Sequence, residues 1–402
     1  MTSEWHEVPL RELVGYISKG IAPSYAEEAS ETTIRVLNQK CNRNFRISYG
    51  DSRLHDTLKK KVPPERYVKP DDILINSTGA GTAGRIAQIE DVPSATTIDG
   101  HMILIRSNRK VTQKFLGYAL KAHQWEVLQL DEGSTGQTEL NRDRLLDEIM
   151  INYPVSFDEQ NAIVGTLESI DRKLIVNEQL NDNLEQQAQA IYHESFETIS
   201  PNDLPSEWRI VTLGEVATIS SKSFNPLKEP EILLEHYSIP AFDEARFPVF
   251  ELSTSIKSNK FIIDASCFMI SKLNPTTKRV WKPYCLTGNA VCSTEFIVYK
   301  AKDKTITDFL YSVIDSNSFS DFMCSHVTGS TGSRQRTTPS DTLSYELILP
   351  SEDELAKFQS LVSPMYAQIR INAIENDRLK RLRDSLLPKL MSGEIDVSTI
   401  QL

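Results

Sequence analysis

Apolar side chains recur at alternating intervals of four and three residues along two long stretches of this chain. In the first stretch the residues at this spacing are Ile163, Leu167, Ile170, Leu174, Asn177, Asn181, Leu184, Ala188 and Ile191, of which only the two asparagines are polar. The second follows Phe358, Val362, Met365, Ile369, Asn372, Asn376, Leu379 and Leu386, with Arg383 between the last two. A repeat with a mean period of 3.5 residues forms the seam of a coiled coil, so we predict two long helices.

Each seam contains two asparagines near its middle, Asn177 with Asn181 and Asn372 with Asn376. An asparagine in such a seam fixes the register of the helices and lowers their stability. If the two helices pair antiparallel, the four asparagines meet. A helix of about 40 residues is about 60 Å long, so the pair would hold two modules a fixed distance apart. The alternative is two separate amphipathic helices, each packed on its own module.

The segments before each helix contain short apolar runs separated by turns. Residues 72–75 and 267–270 are predicted to be buried strands, and residues 115–130 and 306–322 to be helices. The predicted fold class is α+β, with two pseudo-repeated mixed α/β modules joined and spaced by two long helices that form an antiparallel coiled coil.

The two modules repeat each other in the same order along the chain. Matching positions are Trp5 and Trp208, Leu10 and Leu213, Glu12 and Glu215, Arg85-Ile86 and Arg279-Val280, residues 102–104 and 296–298, residues 133–136 and 329–332, Asp158-Glu159 and Asp353-Glu354, and Asn177 and Asn372. We interpret this as a tandem duplication rather than as two unrelated domains of similar composition. The predicted boundaries are 1–156 and 201–350 for the modules, and 157–200 and 351–402 for the helical segments.

The net charge of −11 is concentrated on one helical segment. Residues 157–200 contain 2 basic and 9 acidic residues, whereas residues 1–156 contain 20 and 21, and residues 201–350 contain 15 and 17. Each module is therefore nearly neutral and can carry a local basic face, which is what phosphate binding requires. The alternative is an ordinary acidic protein with solvated charges.

Composition also excludes several classes of protein. The chain has no run of 18 apolar residues, and its first residues have neither the basic flank nor the apolar core of a signal peptide. Five scattered cysteines without a CxxC pair indicate reduced thiols in the cytoplasm, and no cluster of Cys and His predicts a metal site. We expect a cytoplasmic protein without a membrane span.

Catalytic motifs are absent from the sequence: it has no phosphate loop, no HExxH and no GxSxG. Residues 79–84 fit GxGxxG, but residues 85–89 read as a strand where a dinucleotide site requires a helix. The matching residues 274–278 contain no glycine. A tight hairpin with backbone N–H groups near a phosphate is the better interpretation, and no cofactor is predicted.

Basic and polar loops are the remaining candidates for chemistry. Arg and Gln read guanine and adenine edges, and Lys contacts phosphates. In the first module the predicted contacts are Lys60, Ser77, Thr78, Arg85, Thr135, Gln137, Arg142 and Arg144. In the second they are Lys272, Thr277, Lys278, Arg279, Thr331, Ser333, Arg334, Gln335 and Arg336. The alternative for each of them is a solvated surface side chain.

Several segments resemble those of one family. "EWHEVPLREL" and "LPSEWRIVTLGEV" resemble module openings, "INYPVSFDEQNAIVGTLESID" a junction from module to helix, and "LRDSLLPKLMSGEIDV" a C-terminal close. Together with the duplicated plan they resemble the DNA-specificity subunits of type I restriction–modification systems. The second junction departs from the pattern, because Leu355 stands where the first has Gln160.

The resemblance implies a non-catalytic subunit. Each module would be a target recognition domain that reads one half of a split sequence in double-stranded DNA, with the helices as a ruler. Separate methyltransferase subunits, two of them, and ATP-dependent restriction subunits would perform the chemistry. The alternatives are a catalytic fusion with a cryptic methyltransferase or nuclease core, and a scaffold that binds only proteins.

Overall fold

The chain forms two compact units, Met1–Lys173 with Lys380–Leu402, and Leu174–Leu379. The computed structural model describes residues 4–79, 81–132, 139–229, 231–328 and 335–400. Each of the two long helices identified from the sequence contributes residues to both units. Helix Phe157–Tyr192 continues as a π-helical turn, His193–Glu197, and the second helix extends from Glu352 to Met391.

The first unit is built from short strands and a few helices. Its strands are β1 Trp5–Pro9, β2 Val14–Lys19, β3 Tyr25–Ala26, β4 Thr33–Leu37, β5 Asn42–Arg43, β6 Arg46–Ile47, β7 Arg53–Asp56, β8 Ile73–Asn76, β9 Ile86–Gln88, β10 Thr96–Ile98, β11 Met102–Ser107, β12 Asp131–Glu132, β13 Glu139–Leu140 and β14 Met150–Pro154. Its helices are α1 Gln113–Ala122, α2 Gln124–Val127, α3 Arg142–Glu148 and the start of α4 Phe157–Tyr192. One sheet has the order β2-β11-β8-β9 and another β10-β4-β7-β3.

The second unit follows a similar plan. Its strands are β15 Arg209–Thr212, β16 Ala217–Ile219, β17 Ser223–Phe224, β18 Leu233–Tyr237, β19 Val249–Leu252, β20 Lys260–Ile262, β21 Cys267–Ser271, β22 Val280–Trp281, β23 Ala290–Ser293, β24 Phe296–Ala301, β25 Val327–Thr328, β26 Arg336–Thr337 and β27 Glu346–Leu349. Its helices are α5 Leu213–Val216, α6 Ile239–Ala245, α7 Thr307–Ile314, α8 Asn317–Ser325 and most of α9 Glu352–Met391. Its sheets have the orders β16-β24-β21-β22 and β17-β20-β23-β18-β19.

The central sheet therefore has the same strand order in both units, with β8 matching β21 and β11 matching β24. β8 and β21 are buried along their length, as central strands covered on both faces are. The predicted strands at 72–75 and 267–270 are thus present. The sheets and helices confirm the predicted α+β class, and no helix in the part of the chain that the structure describes is long and apolar enough to span a bilayer.

The core of each unit joins its central sheet to the long helices. In the first unit Phe115 and Leu116 of α1 pack with Leu167 of α4 and Leu390 of α9, all fully buried. Thr112 starts α1 by accepting a hydrogen bond from the Phe115 backbone N–H, which satisfies a donor at the helix start. Since burial of each such side chain contributes roughly 1.5–3 kcal/mol, this packing holds the module on the helices.

The predicted helices at 115–130 and 306–322 are each broken in two. α1 ends before His123, and α7 ends before Asp315. Ser316 is extended, and its side chain accepts a hydrogen bond from the Phe319 backbone N–H, which starts α8 as a new helix. Apolar side chains occur on both sides of each break, so their presence alone could not reveal the breaks.

Candidate nucleic-acid interface

The four seam asparagines lie in two pairs within the second unit. The Asn177 side chain donates to the Asn376 side chain at 2.8 Å, and Asn372 donates to Asn181 at 2.8 Å. The partner of the later residue on α4 is the earlier residue on α9, so the helices run antiparallel here. Asn177 and Asn372 are buried, and an amide buried without a partner would cost free energy.

Replacement of these asparagines gives a test of their register role. Asn177→Leu alone leaves the Asn376 amide without its donor, and we expect a loss of roughly 1–3 kcal/mol in the free energy of unfolding. Replacement of all four by Leu removes the amides of the seam and should instead raise that free energy, because seam asparagines trade stability for register. Denaturant unfolding of both variants measures the sign. A quadruple variant less stable than Asn177→Leu would contradict this account.

In the first unit the loop after β8 is joined to the β12–β13 hairpin. The Leu140 N–H donates to the Ser77 carbonyl at 2.7 Å, and Thr78 forms a β-bridge with Glu139. The Ser77 N–H donates to the His101 carbonyl at 2.8 Å. We call this arrangement the first junction. It holds Ser77 and Thr78 beside the paired strands β12 and β13. The predicted contacts Thr135 and Gln137 lie outside the described residues.

The same arrangement occurs in the second unit after β21. The Thr337 N–H donates to the Lys272 carbonyl at 3.1 Å, the Asn274 N–H donates to the Gln335 carbonyl at 2.9 Å, and Leu273 bridges Arg336. The Lys272 N–H donates to the Glu295 carbonyl, as Ser77 does to His101. This is the second junction, and the predicted contacts Thr331, Ser333 and Arg334 lie outside the described part of the chain.

The glycines of residues 79–84 serve the turn that follows the first junction. The Thr82 and Ala83 N–H groups both donate to the Gly79 carbonyl at 2.9 Å. A Cβ on Gly79, whose φ is +108°, would lie 2.3 Å from Thr82 Oγ1. The chain then enters β9 without opening a helix. Close contacts account for Gly79 and Gly84, and a positive φ of +70° accounts for Gly81, where a Cβ would have open space. The turn lacks the helix of a dinucleotide site.

The predicted basic residues of the first unit differ in how they are engaged. Arg144 makes a two-point contact with Glu148 at 2.6 and 3.0 Å, and Arg85 donates to the Gly81 carbonyl at 3.1 Å. Lys60 donates to the Ala22 carbonyl at 2.8 Å, and no contact within the described residues joins it to the first junction. Arg142 is exposed at the start of α3, and within those residues its side chain has no hydrogen bond or ion pair.

In the second unit two predicted contacts are held by acidic partners. Arg279 makes a two-point contact with Asp243 at 2.6 and 2.9 Å, and its side chain is only 13% exposed. Lys278 lies 3.0 Å from Asp315, and burial raises the pKa of Asp315 although Lys278 opposes that shift. These contacts attach the side chains of Lys278 and Arg279 to the module, so both side chains hold the loop in place.

The remaining predicted residues of the second unit are more accessible. Arg336 contacts Glu295 at 3.0 and 3.2 Å, and its side chain is exposed. Exposed pairs of this kind contribute little in water, so Arg336 can exchange its partner for a phosphate. Thr277 is exposed, and the Lys272 side chain has no ion pair within the described residues.

Sequence reasoning missed the residue that supports each junction. The His101 ring lies 2.8 Å from Thr78 Oγ1, and Glu295 holds Arg336 in the matching place. Their signal was the repeat itself, because His101 and Glu295 stand at an offset of 194, like the strands that follow them. No group of three metal-binding side chains occurs among the described residues.

Comparison with known proteins finds sequence and fold similarity to one family. Residues 2–186 match the family model of the type I restriction modification DNA specificity domain. The chain is 25% identical over 384 residues to the type I restriction enzyme MjaIX specificity subunit of Methanocaldococcus jannaschii, which covers 88% of this chain and 84% of that protein. It is 33% identical over 93 residues, 23% of this chain and 20% of that protein, to the HindI specificity subunit of Haemophilus influenzae. Its fold is similar to the crystal structure of the type I S subunit from M. genitalium, with a TM-score of 0.59, 16% identity, and 97% and 96% of the two chains covered.

Proposed function

We propose that this chain, which belongs to the family of type I restriction–modification specificity subunits, reads a DNA target in two halves. The first junction and its hairpin would contact one half-site, and the second junction and its hairpin the other. The paired helices would set the number of base pairs between them. Methyltransferase and ATP-dependent restriction subunits would carry out the chemistry, so the chain itself would not be an enzyme.

The observation that carries this proposal is the repetition of one backbone frame with different side chains. In both junctions the carbonyl of the first loop residue, Ser77 or Lys272, accepts a backbone hydrogen bond from the hairpin. The N–H of the same residue donates to the carbonyl of the residue just before the neighbouring strand, which is His101 before β11 and Glu295 before β24. The side chains on the frame differ, with Thr78 and His101 in one and Leu273 and Glu295 in the other. A protein that reads two unlike half-sites needs a common frame and distinct readers.

The helices also offer a surface for a partner subunit. Within the second unit Val176 and Leu180 are four residues apart on α4, and Leu361 and Ile371 lie on α9. All four side chains are 40–54% exposed. Exposed apolar side chains favour a protein interface, and we propose that the methyltransferase subunits dock on the helices.

DNA binding can be tested through the basic side chains that have no described partner. We expect Arg142→Ala and Lys272→Ala each to weaken binding to duplex DNA about equally for all sequences and to reduce the salt slope by about 1, as loss of a phosphate contact does. The measurement is the affinity of the complex with its methyltransferase subunits at several salt concentrations. Arg109→Ala is the control, because Arg109 is exposed and has no side-chain partner among the described residues.

Each alternative predicts a different outcome. A wild-type complex without salt-dependent duplex binding would favour the protein scaffold. Methyl transfer by the isolated chain would favour the catalytic fusion. A change in sequence preference for Arg142→Ala or Lys272→Ala would move that residue from the phosphate contacts to the base contacts and leave DNA reading in place.

A further inference from the structure

Helix α6 of the second unit ends in an unusual residue. Arg246 follows the helix with φ +47° and ψ +36°, which is left-handed backbone. Helices that end in this conformation usually place Gly or Asn there, because other residues meet steric strain. A long side chain retained in such a conformation points to a role that depends on that side chain.

The Arg246 guanidinium contacts the long helix α4. Its Nη1 donates to Glu185 at 2.7 Å and lies 3.8 Å from Asp182, one turn earlier on α4. The guanidinium also lies over the Phe242 ring, 5.5 Å from its centroid. α6 is thereby fastened to α4 by a charged contact that is partly shielded from water.

The Arg246 backbone leads to the other long helix through Tyr284. The Tyr284 hydroxyl donates to the Arg246 carbonyl at 3.1 Å, and Arg370 of α9 donates to the Tyr284 carbonyl at 3.1 Å. The Tyr284 N–H donates to the Tyr237 hydroxyl at 2.8 Å. Tyr284 is buried, so this corner of the module touches α4 and α9 through fixed partners.

The same helix also holds the recognition loop. Asp243 of α6 lies three residues before Arg246 and receives the two-point contact from Arg279. Arg279 closes residues 272–279, the loop of the second junction. A continuous set of short polar contacts therefore runs from α4 and α9, through Arg246 and α6, to the loop that the proposed function assigns to DNA.

We propose that Arg246 is a positioning residue, which fixes the orientation of the second recognition loop on the helix pair and so sharpens the choice of spacer length. This inference rests on the proposed function. Among the described residues Arg246 contacts no predicted base reader, so its loss should leave the sequence of the half-site unchanged. It should instead allow the loop to meet half-sites at more than one spacing.

Arg246→Gly is the test variant, because glycine adopts left-handed backbone without strain and removes the guanidinium. We expect the variant to fold and to keep its base preference in both half-sites. The preference for one spacer over a spacer one base pair longer should fall by roughly tenfold, since a misplacement of about 1 Å can cost up to about a hundredfold. Binding of the full complex to DNAs that differ only in spacer gives the measurement.

Two further variants keep the test decisive. Arg109→Gly is the matched control: Arg109 also has left-handed backbone, with φ +74°, but its side chain has no partner among the described residues. Glu185→Gln should weaken spacer preference in the same direction as Arg246→Gly. An unchanged spacer preference in folded Arg246→Gly, or a changed base preference, would overturn the positioning role. A wild-type complex with no spacer preference would overturn the two-part reading itself, and the positioning role with it.

Discussion

Exchange of residues 1–156 for the matching module of a relative should change one half of the methylated sequence and leave the other half intact. Each mismatched base pair costs roughly 1–3 kcal/mol, so a half-site of a few base pairs is discriminated by roughly a thousandfold or more. The new half-site should be the one that the donor module reads in its own protein. The result is measured by mapping the methylated positions in DNA that has been incubated with the complex.

The exchanged module must still pack against the long helices. In the first unit Asp171 of α4 accepts hydrogen bonds from Tyr118 and Lys121 of α1 and from Arg383 of α9, at 2.9, 3.2 and 2.9 Å. Burial opposes ionisation of Asp171, but Lys121 and Arg383 outweigh it and hold its pKa below the usual range. Loss of Lys121 or of Arg383 would leave the buried Asp171 carboxylate less well paired, which is strongly destabilising.

The donor is therefore chosen to retain Tyr118 and Lys121 at the matching positions. As a control, a donor that reads the same half-site as this chain should leave the methylated sequence unchanged. A change in both halves, or in neither, would contradict independent reading by the modules. A chimera that fails to bind the methyltransferase subunits is separated from these outcomes by purification of the complex before the assay.

Much of the fold could be predicted because its signals are local and repeated. The 3.5-residue period gave the long helices, and the matching offsets gave the duplicated modules and the central strands. The family resemblance rested on the same helical segments. Leu355, which departs from the first copy, is buried in the second core, whereas Gln160 receives a hydrogen bond from the Thr112 N–H at 2.8 Å. The two copies thus have equivalent positions here, but Leu355 is stabilised by burial in the core and Gln160 by a hydrogen bond.

The predicted contacts were harder to judge from sequence because a charged side chain does not reveal its partner. Lys278 and Arg279 are predicted DNA contacts, and the acidic residues that engage them, Asp315 and Asp243, lie 37 and 36 residues away in the chain. Only the fold brings those carboxylates to them. Arg142 and Arg144 are two residues apart on one helix, yet Glu148 engages Arg144 and not Arg142. Such distinctions depend on three-dimensional geometry.

Lengthening both long helices by one heptad should lengthen the preferred spacer by about 3 base pairs. The structure shows where the insertions belong. Because Asn181 pairs with Asn372 and Asn177 with Asn376, insertions between Asn181 and Asp182 and between Ile371 and Asn372 lie opposite each other. They leave both asparagine pairs intact and keep the apolar seam in phase.

The size of the change follows from the two helical geometries. Seven residues add about 10 Å to an α-helix at 1.5 Å per residue, and about 3 base pairs of DNA span that length, since roughly 10 base pairs span about 34 Å. The added base pairs also turn one half-site by about 100° around the DNA axis. The lengthened protein must twist its DNA to compensate, so we expect weaker binding at the new optimum.

The assay is methylation or binding on duplexes that differ only in spacer length. A heptad inserted into α4 alone is the control, because it leaves α9 unmatched and should lower the stability of the protein without producing a new spacer optimum. Four residues inserted at both sites move the seam out of phase. This variant should also be less stable and should not produce a new spacer optimum. If the double heptad variant folds, binds its methyltransferase subunits and still prefers the original spacer, then the helices do not measure the distance between half-sites.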